Sequence, residues 1–112
     1  PARLTGLMYV LLARAPVHAL TVMVKDAPRH RSPNAGWPES AVASALGIRL
    51  SGPRLYNCVA SSDPWLNKAG RDPGPQDITA ALQLYSRLLW MVSLLLLSGT
   101  ACLFLAEKGA HL

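Results

Sequence analysis

Between Lys25 and Glu39 the chain reads KDAPRHRSPNAGWPE, which sets three cations (Lys25, Arg29, Arg31), His30 and two carboxylates (Asp26, Glu39) around an Asn-Ala-Gly turn. These residue types suit a phosphate-bearing anion. Guanidinium groups at Arg29 and Arg31 can supply charge-assisted hydrogen bonds, and a helix starting after the turn adds backbone N–H groups and the positive end of its dipole. Asp26 and Glu39 could hold a Mg²⁺ that bridges phosphate oxygens. The same charges also fit a use without chemistry: a basic cluster beside a membrane that meets lipid head groups, with Pro and Gly shaping the loop. Composition leaves both readings open.

Other chemistry-bearing patterns are weaker. His30 alone reads more readily as a solvated loop histidine than as a general base, and His18, on an apolar helix, as a packing residue. No GxxxxGK[ST] run occurs, so a Walker-type nucleotide site is unsupported, and Ser32 sits in no nucleophile elbow. Cys58 and Cys102 form no C-x-x-C pair, which leaves neither a zinc site nor a disulfide framework to read.

The elements that must position the cluster follow from hydropathy and breakers. Leu4 to Val24 is apolar but interrupted by Arg14, Pro16 and His18. A charge at mid-span is costly in a bilayer and Pro16 breaks a helix, so we expect one helix over Ala2 to Ala13, a corner at Arg14 to Pro16, and a second helix over Val17 to Asp26. Pro38 to Leu46 predicts a short helix with Glu39 at its positive end and Gly47 closing it. Its small residues suit close packing. Ile48 to Leu50 and Leu55-Tyr56 read as extended pieces around a Ser-Gly-Pro-Arg turn, and Asn57 to Pro75 as an irregular loop. Pro75 and Asp77 then start a helix that runs on through Leu88 to Ala106, a stretch of about 28 Å at 1.5 Å per residue, close to the thickness of a bilayer core. Arg87, Glu107 and Lys108 bracket this span with charge, and Tyr85 and Trp90 stand where interfacial anchors are expected.

The fold class expected is therefore mainly α: membrane-embedded helices flanking an irregular polar loop with one short helix. The 112 residues form one region, with membrane-associated helices over 1–24, a polar loop region holding the candidate site over 25–87, and a transmembrane helix over 88–106. Overall composition agrees, with 51% hydrophobic and 15% charged residues at net charge +5. That balance argues against disorder and against an ordinary soluble basic protein. Eight of the eleven Lys/Arg and five of the six Asp/Glu fall within 25–87. Such interspersed charge, without aromatic stacking repeats, argues against nucleic acid as a partner. A basic loop beside spans favours the cytoplasmic side. The chain opens at Pro1, so either an initiator Met was removed or a longer protein precedes it, and Arg14 and His18 make the first run a poor signal peptide.

The runs Pro1-Ala2-Arg3-Leu4-Thr5, then Asp26-Ala27 leading into Ser32-Pro33-Asn34-Ala35-Gly36-Trp37-Pro38-Glu39, and Ala45-Leu46-Gly47-Ile48-Arg49-Leu50-Ser51-Gly52-Pro53 closely resemble the CobD/CbiB family. The likeness runs in order from Pro1 to about Tyr56, and more loosely through Asp77-Ile78 to the final span. Two positions depart from the family pattern: Ser51 stands where a glycine is expected, and no glycine follows soon after Tyr56. Family members are adenosylcobinamide-phosphate synthases, multi-pass proteins of the inner cell membrane. The resemblance implies cobalamin biosynthesis through ATP-dependent amide ligation, joining a corrinoid propionate of adenosylcobyric acid to aminopropanol or its phosphate. It implies ATP and Mg²⁺ as cofactors. Partners implied are the corrinoid, the amino alcohol, membrane lipid and the N-terminal remainder of a longer protein, of which this chain looks like the C-terminal portion. On the matching positions, Arg29, Arg31, Asn34 and Gly36 would shape a phosphate site, Asp26 and Glu39 would bind Mg²⁺ or orient the amine, and Arg3 and Arg49 would contact anionic substrate groups. The competing class is a non-enzymatic helical membrane subunit or scaffold with an anion- or lipid-binding loop. A transporter fragment is disfavoured, because polar residues gather in the loop and not inside the spans.

Overall fold

A computed structural model describes residues 1–110. Helix α1 (Ala2–Leu12) ends where Ala13 turns extended, and α2 (Pro16–Asp26) restarts with Pro16 in its first turn, where the missing N–H is not needed. The expected corner is thus present, at residues 13–15. A 3₁₀ turn (Ala27–Arg29) leads to α3 (Gly36–Leu46), which begins two residues before the expected Pro38. Proline is tolerated at this third position because first-turn amides have no partner within the helix. Gly47, at φ +68°, closes α3 in the left-handed conformation, with Ile48 N–H donating to Ala43 O at 3.0 Å and Gly47 N–H to Ser44 O at 3.2 Å.

The stretch expected to be irregular contains short strands. Strand β1 (Leu50–Ser51) pairs antiparallel with β4 (Trp65–Leu66), and β2 (Arg54–Tyr56) forms a hairpin with β3 (Val59–Ser61). Strands β1 and β2 fall on the two extended pieces expected before Asn57, whereas β3 and β4 lie in the stretch expected to be irregular, where two features hid them. Each strand is two or three residues long, too short for alternation to register, and the β1–β4 pairing is non-local. The hairpin turn uses Asn57 (φ +49°) and Cys58 (φ +65°), a mirror-image geometry in which glycine is normally the signal. Ser51, at φ +64°, likewise occupies a left-handed position, which favours the glycine expected there.

Helices α1, α2 and α3 pack on one another, and α3 sits against both neighbours through small buried residues, Ser40, Ala41 and Ala43. Met23 is the large side chain filling the middle, and Tyr9, Val10 and Ala19 surround it. Met23 and Val10, withdrawn from water, each stabilise the unit by about 1.5–3 kcal/mol. Gly6 permits the closest approach, since a Cβ there would fall 2.6 Å from Met23 Sδ and 3.0 Å from Trp37 O.

Helix α4 (Pro75–Ala110) is 36 residues long; it packs on α1 and α3 through Leu84 and Leu88 and then extends away, so that the molecule measures 70 × 28 × 28 Å. It is long and apolar enough to cross a membrane, and the side chains of Leu94 to Leu97 are more than half exposed. Apolar residues also point outward from α1 (Leu4, Leu7, Leu11) and α2 (Val17, Leu20, Val24), at the i, i+3, i+7 spacing of one helix face.

The start of α4 is tied to the loop before it. Asp77 accepts bonds from Arg71 Nη1 (2.7 Å), Arg71 Nη2 (2.5 Å) and Gly74 N–H (2.7 Å). The Arg71 guanidinium first, and the Gly74 amide second, hold its carboxyl down to about 2. An unfolded Asp titrates near about 3.9, so this contribution is fully present above about pH 4 and is lost as pH falls toward 2. Acid titration followed by circular dichroism should therefore show a destabilisation between about pH 4 and pH 2 that Asp77→Asn reduces; an unchanged acid limb in the variant would rule this anchor out.

Candidate functional site

Two cavities with charged residues in their linings flank the 3₁₀ turn and the start of α3. The first, about 390 Å³, is lined by His30, Arg31, Glu39, Leu50, Arg54 and Asp63 among others. His30 Nδ1 accepts the Ser32 N–H at 2.9 Å, which leaves Nε2 as the protonated nitrogen donating to Glu39 Oε2 at 3.1 Å. Both ring nitrogens are thus engaged, and His30 orients Glu39 while the carboxylate itself stays half exposed. Arg31 Nη2 bonds both oxygens of Asp63 at 3.0 and 3.1 Å. The Ser61 hydroxyl (2.8 Å) and then Arg31, with a further contribution from the charge of Arg54, hold the Asp63 carboxyl below its ordinary value. Two guanidinium groups and two carboxylates therefore balance around this cavity.

The second cavity, about 730 Å³, lies between α2 and the segment of β4 that continues to Ala69. Lys25, Asp26, Arg29, Trp65 and Lys68 line it. Asp26 is buried at its inner edge, where Oδ2 accepts the Asn67 N–H at 2.8 Å and Oδ1 stands 4.0 Å from Arg29. Asn67 itself, buried at φ +57°, donates from Nδ2 to Ile48 O (2.8 Å) and Ala43 O (3.3 Å). Asn67 thereby joins the ends of α2 and α3 to the loop, by its backbone N–H on Asp26 and its side chain on Ala43 and Ile48, with Gly70 pressed against the Ile48 carbonyl.

The structure thus divides the residues singled out in the sequence. Arg31 and Glu39 share the first cavity; Asp26 and Arg29 share the second. Arg3 stacks over the Trp37 ring at 5.0 Å, and Arg49 stacks over Trp65 at 4.2 Å while its Nε bonds Asp72 at 2.6 Å. Asn34 O accepts the Trp37 N–H at 3.3 Å, and Gly36 is buried where a Cβ would lie 2.5 Å from Ala27 O. Since Pro38 carries no N–H, the start of α3 offers an anion few donors beyond Gly36.

Among the described residues no group of three His, Cys, Asp or Glu side chains gathers as a metal set. Mg²⁺ nonetheless binds proteins through one or two carboxylates and completes its shell with water and ligand phosphates. Glu39 fits that pattern, because its second oxygen has no partner among the described residues. Asp26 fits it less well, being occupied by Asn67. Sequence reasoning missed Asp63, Asn67 and Lys68. A signal for the second cavity was present, since His18, Thr21, Lys25 and Arg29 recur at helical spacing along one face.

Comparison with known proteins adds an independent line. The family model described as CobD/Cbib protein matches residues 1–85. A protein of Rhodobacter capsulatus named cobalamin biosynthesis protein CobD is 54% identical over 87 residues, covering 78% of this chain and 28% of its own length. Its namesakes from Brucella suis (45% over 112 residues; 93% of this chain, 34% of the relative) and Rhizobium meliloti (45% over 74 residues; 65% and 23%) align similarly. The chain therefore spans about a third or less of these relatives' length. No solved structure matches. Since the matched residues include both cavities and the helices that build them, the chain belongs to the CobD/CbiB family.

Proposed function

We propose that the protein acts in cobalamin biosynthesis, catalysing ATP-dependent ligation of a corrinoid propionate of adenosylcobyric acid to aminopropanol or aminopropanol phosphate. The observation that carries this reading is the SPNAGWPE run, a family-like segment whose Glu39 faces a polar cavity and is oriented there by His30. In amide ligation the amine nitrogen attacks an activated carboxyl carbon, the leaving group departs with its electron pair, and an N–H proton must be taken up. Glu39 fits the proton acceptor or the group that orients the ammonium. The guanidinium of Arg31, already held in place by Asp63, suits an anionic part of the substrate, as does Arg29 in the second cavity. In the alternative role Glu39 would instead hold Mg²⁺ with ligand oxygens and water, and the ion would neutralise phosphate charge. Arg3 and Arg49 then act by holding Trp37 and Trp65, and Gly36 and Asn34 by setting the turn. In this reading α4 crosses the inner membrane, the outward apolar faces of α1 and α2 meet lipid or further spans, and residues 25–87 face the cytoplasm.

A strain lacking the synthase, supplied with cobyric acid, should regain cobalamin formation when given the complete protein. Glu39→Gln should lower the ligation rate at least about a hundredfold, the usual lower bound for losing a general base, with α-helical content unchanged. Absence of rescue by the parent would favour the scaffold class, and full activity of Glu39→Gln would remove Glu39 from the chemistry.

A further inference from the structure

The second cavity carries charge that the reading above barely uses. Lys25, Arg29 and Lys68 converge on it, and the single carboxylate in its lining, Asp26, is buried and already accepts the Asn67 amide. Among the described residues Lys25 and Lys68 have no hydrogen-bond or ion-pair partner, and Arg29 meets only Asp26, at 4.0 Å. The contrast with the first cavity is direct: there each charge has an opposite beside it. Three cations held around one concavity repel each other unless an anion joins them. The volume, about 730 Å³, lies within the range of small-molecule sites.

The design of α2 accounts for the placement. One third of its circumference (Ala19, Met23, Asp26) faces the core, a second (Val17, Leu20, Val24) is apolar and exposed, and the third (His18, Thr21, Lys25) lines the cavity. Across from it, Pro64 and Trp65 supply an apolar wall, and Trp65 is fixed by Arg49 on its ring and by Gly52, where a Cβ would fall 2.6 Å from the ring atoms.

We propose that the groove between α2 and the β4 segment is an anion site that takes a phosphate group, bound by Lys25, Arg29 and Lys68. The group belongs either to a soluble phosphate ester or to a lipid head group, for which the adjacent apolar stripe of α2 offers a bed. The inference deepens the ligation reading, which already places Arg29 in this cavity, by joining Lys25 and Lys68 to it; Glu39 takes no part.

The test is titration calorimetry on the full chain in neutral detergent at low salt, with inorganic pyrophosphate in one arm and short-chain phosphatidylglycerol against phosphatidylcholine in the other. Lys25→Gln with Lys68→Gln should weaken the ligand that binds by about tenfold or more, whereas Lys108→Gln and Glu39→Gln should leave it unchanged. Circular dichroism checks that the variants fold, as exposed lysines predict. Pyrophosphate binding lost in the double variant supports a soluble ligand; selective phosphatidylglycerol binding lost in the same way supports a head group. A parent that binds neither probe, a double variant that binds as the parent does, or an equal loss in Lys108→Gln would overturn the site. Loss of ligation in Glu39→Gln with pyrophosphate binding retained would separate the two proposals.

Discussion

Gly36→Ala is expected to destabilise the helical unit by about 3 kcal/mol, the upper part of the range for forcing a methyl group into a packed interior. The added Cβ would fall 2.5 Å from Ala27 O and 2.6 Å from His30 Cβ, and the first of these is backbone of the 3₁₀ turn, which cannot swing aside as a side chain can. Relief requires α3 to move away from the turn, and that motion would also separate His30 from Glu39. Thermal denaturation of the detergent-solubilised chain should show a clear loss of Tm. Gly99→Ala is the control, because a Cβ there meets nothing within 4 Å. The sequence reading gave Gly36 a part in shaping a phosphate site, and the two roles have different signatures. A Gly36→Ala chain with parental stability and weakened ligand binding would restore that role and refute the packing argument.

Removal of the Asn67 side chain should cost nearly as much. In Asn67→Ala the Ile48 carbonyl loses its 2.8 Å donor while Ala43 O keeps the Ile48 N–H, so one buried acceptor is stranded at about 1–3 kcal/mol. Alanine at φ +57° adds roughly 1 kcal/mol, a strain that asparagine bears more easily. Asn67→Gly separates the contributions: it loses the same hydrogen bonds without the backbone strain and should be milder than alanine by about 1 kcal/mol. Urea denaturation of the three chains measures both. Equal stability of the glycine and alanine variants would show that the left-handed backbone contributes nothing, and parental stability of both would remove the Asn67 side chain as the tie between the end of α3 and the loop.

These two residues show where sequence reasoning succeeded and stopped. The helices were legible because their signals are local. Pro16 after a helical run marks the break between α1 and α2, Gly47 marks the end of α3, and an uncharged run of leucines extends α4. The candidate cluster was legible as a set of residue types, since cations and carboxylates crowd between Lys25 and Glu39. Its division was not. Arg29 and Arg31 are two residues apart, yet the 3₁₀ turn sends one to each cavity; Arg31 meets Asp63, and Arg29 shares its cavity with Lys68, each more than thirty residues later.

By itself the sequence determined the helical class, the apolar run able to cross a bilayer, and the family, because propensity, hydropathy and motif identity are properties of contiguous residues. Tertiary structure alone decided which charges are free. Asp26 became a buried acceptor, Arg31 was tied to Asp63, and Lys25 was left, among the described residues, without an ion pair in the cavity that Lys68 also lines. A side chain's availability depends on what the fold brings within about 3–4 Å of it, and that distance is set by chain closure between remote segments, which no local pattern records.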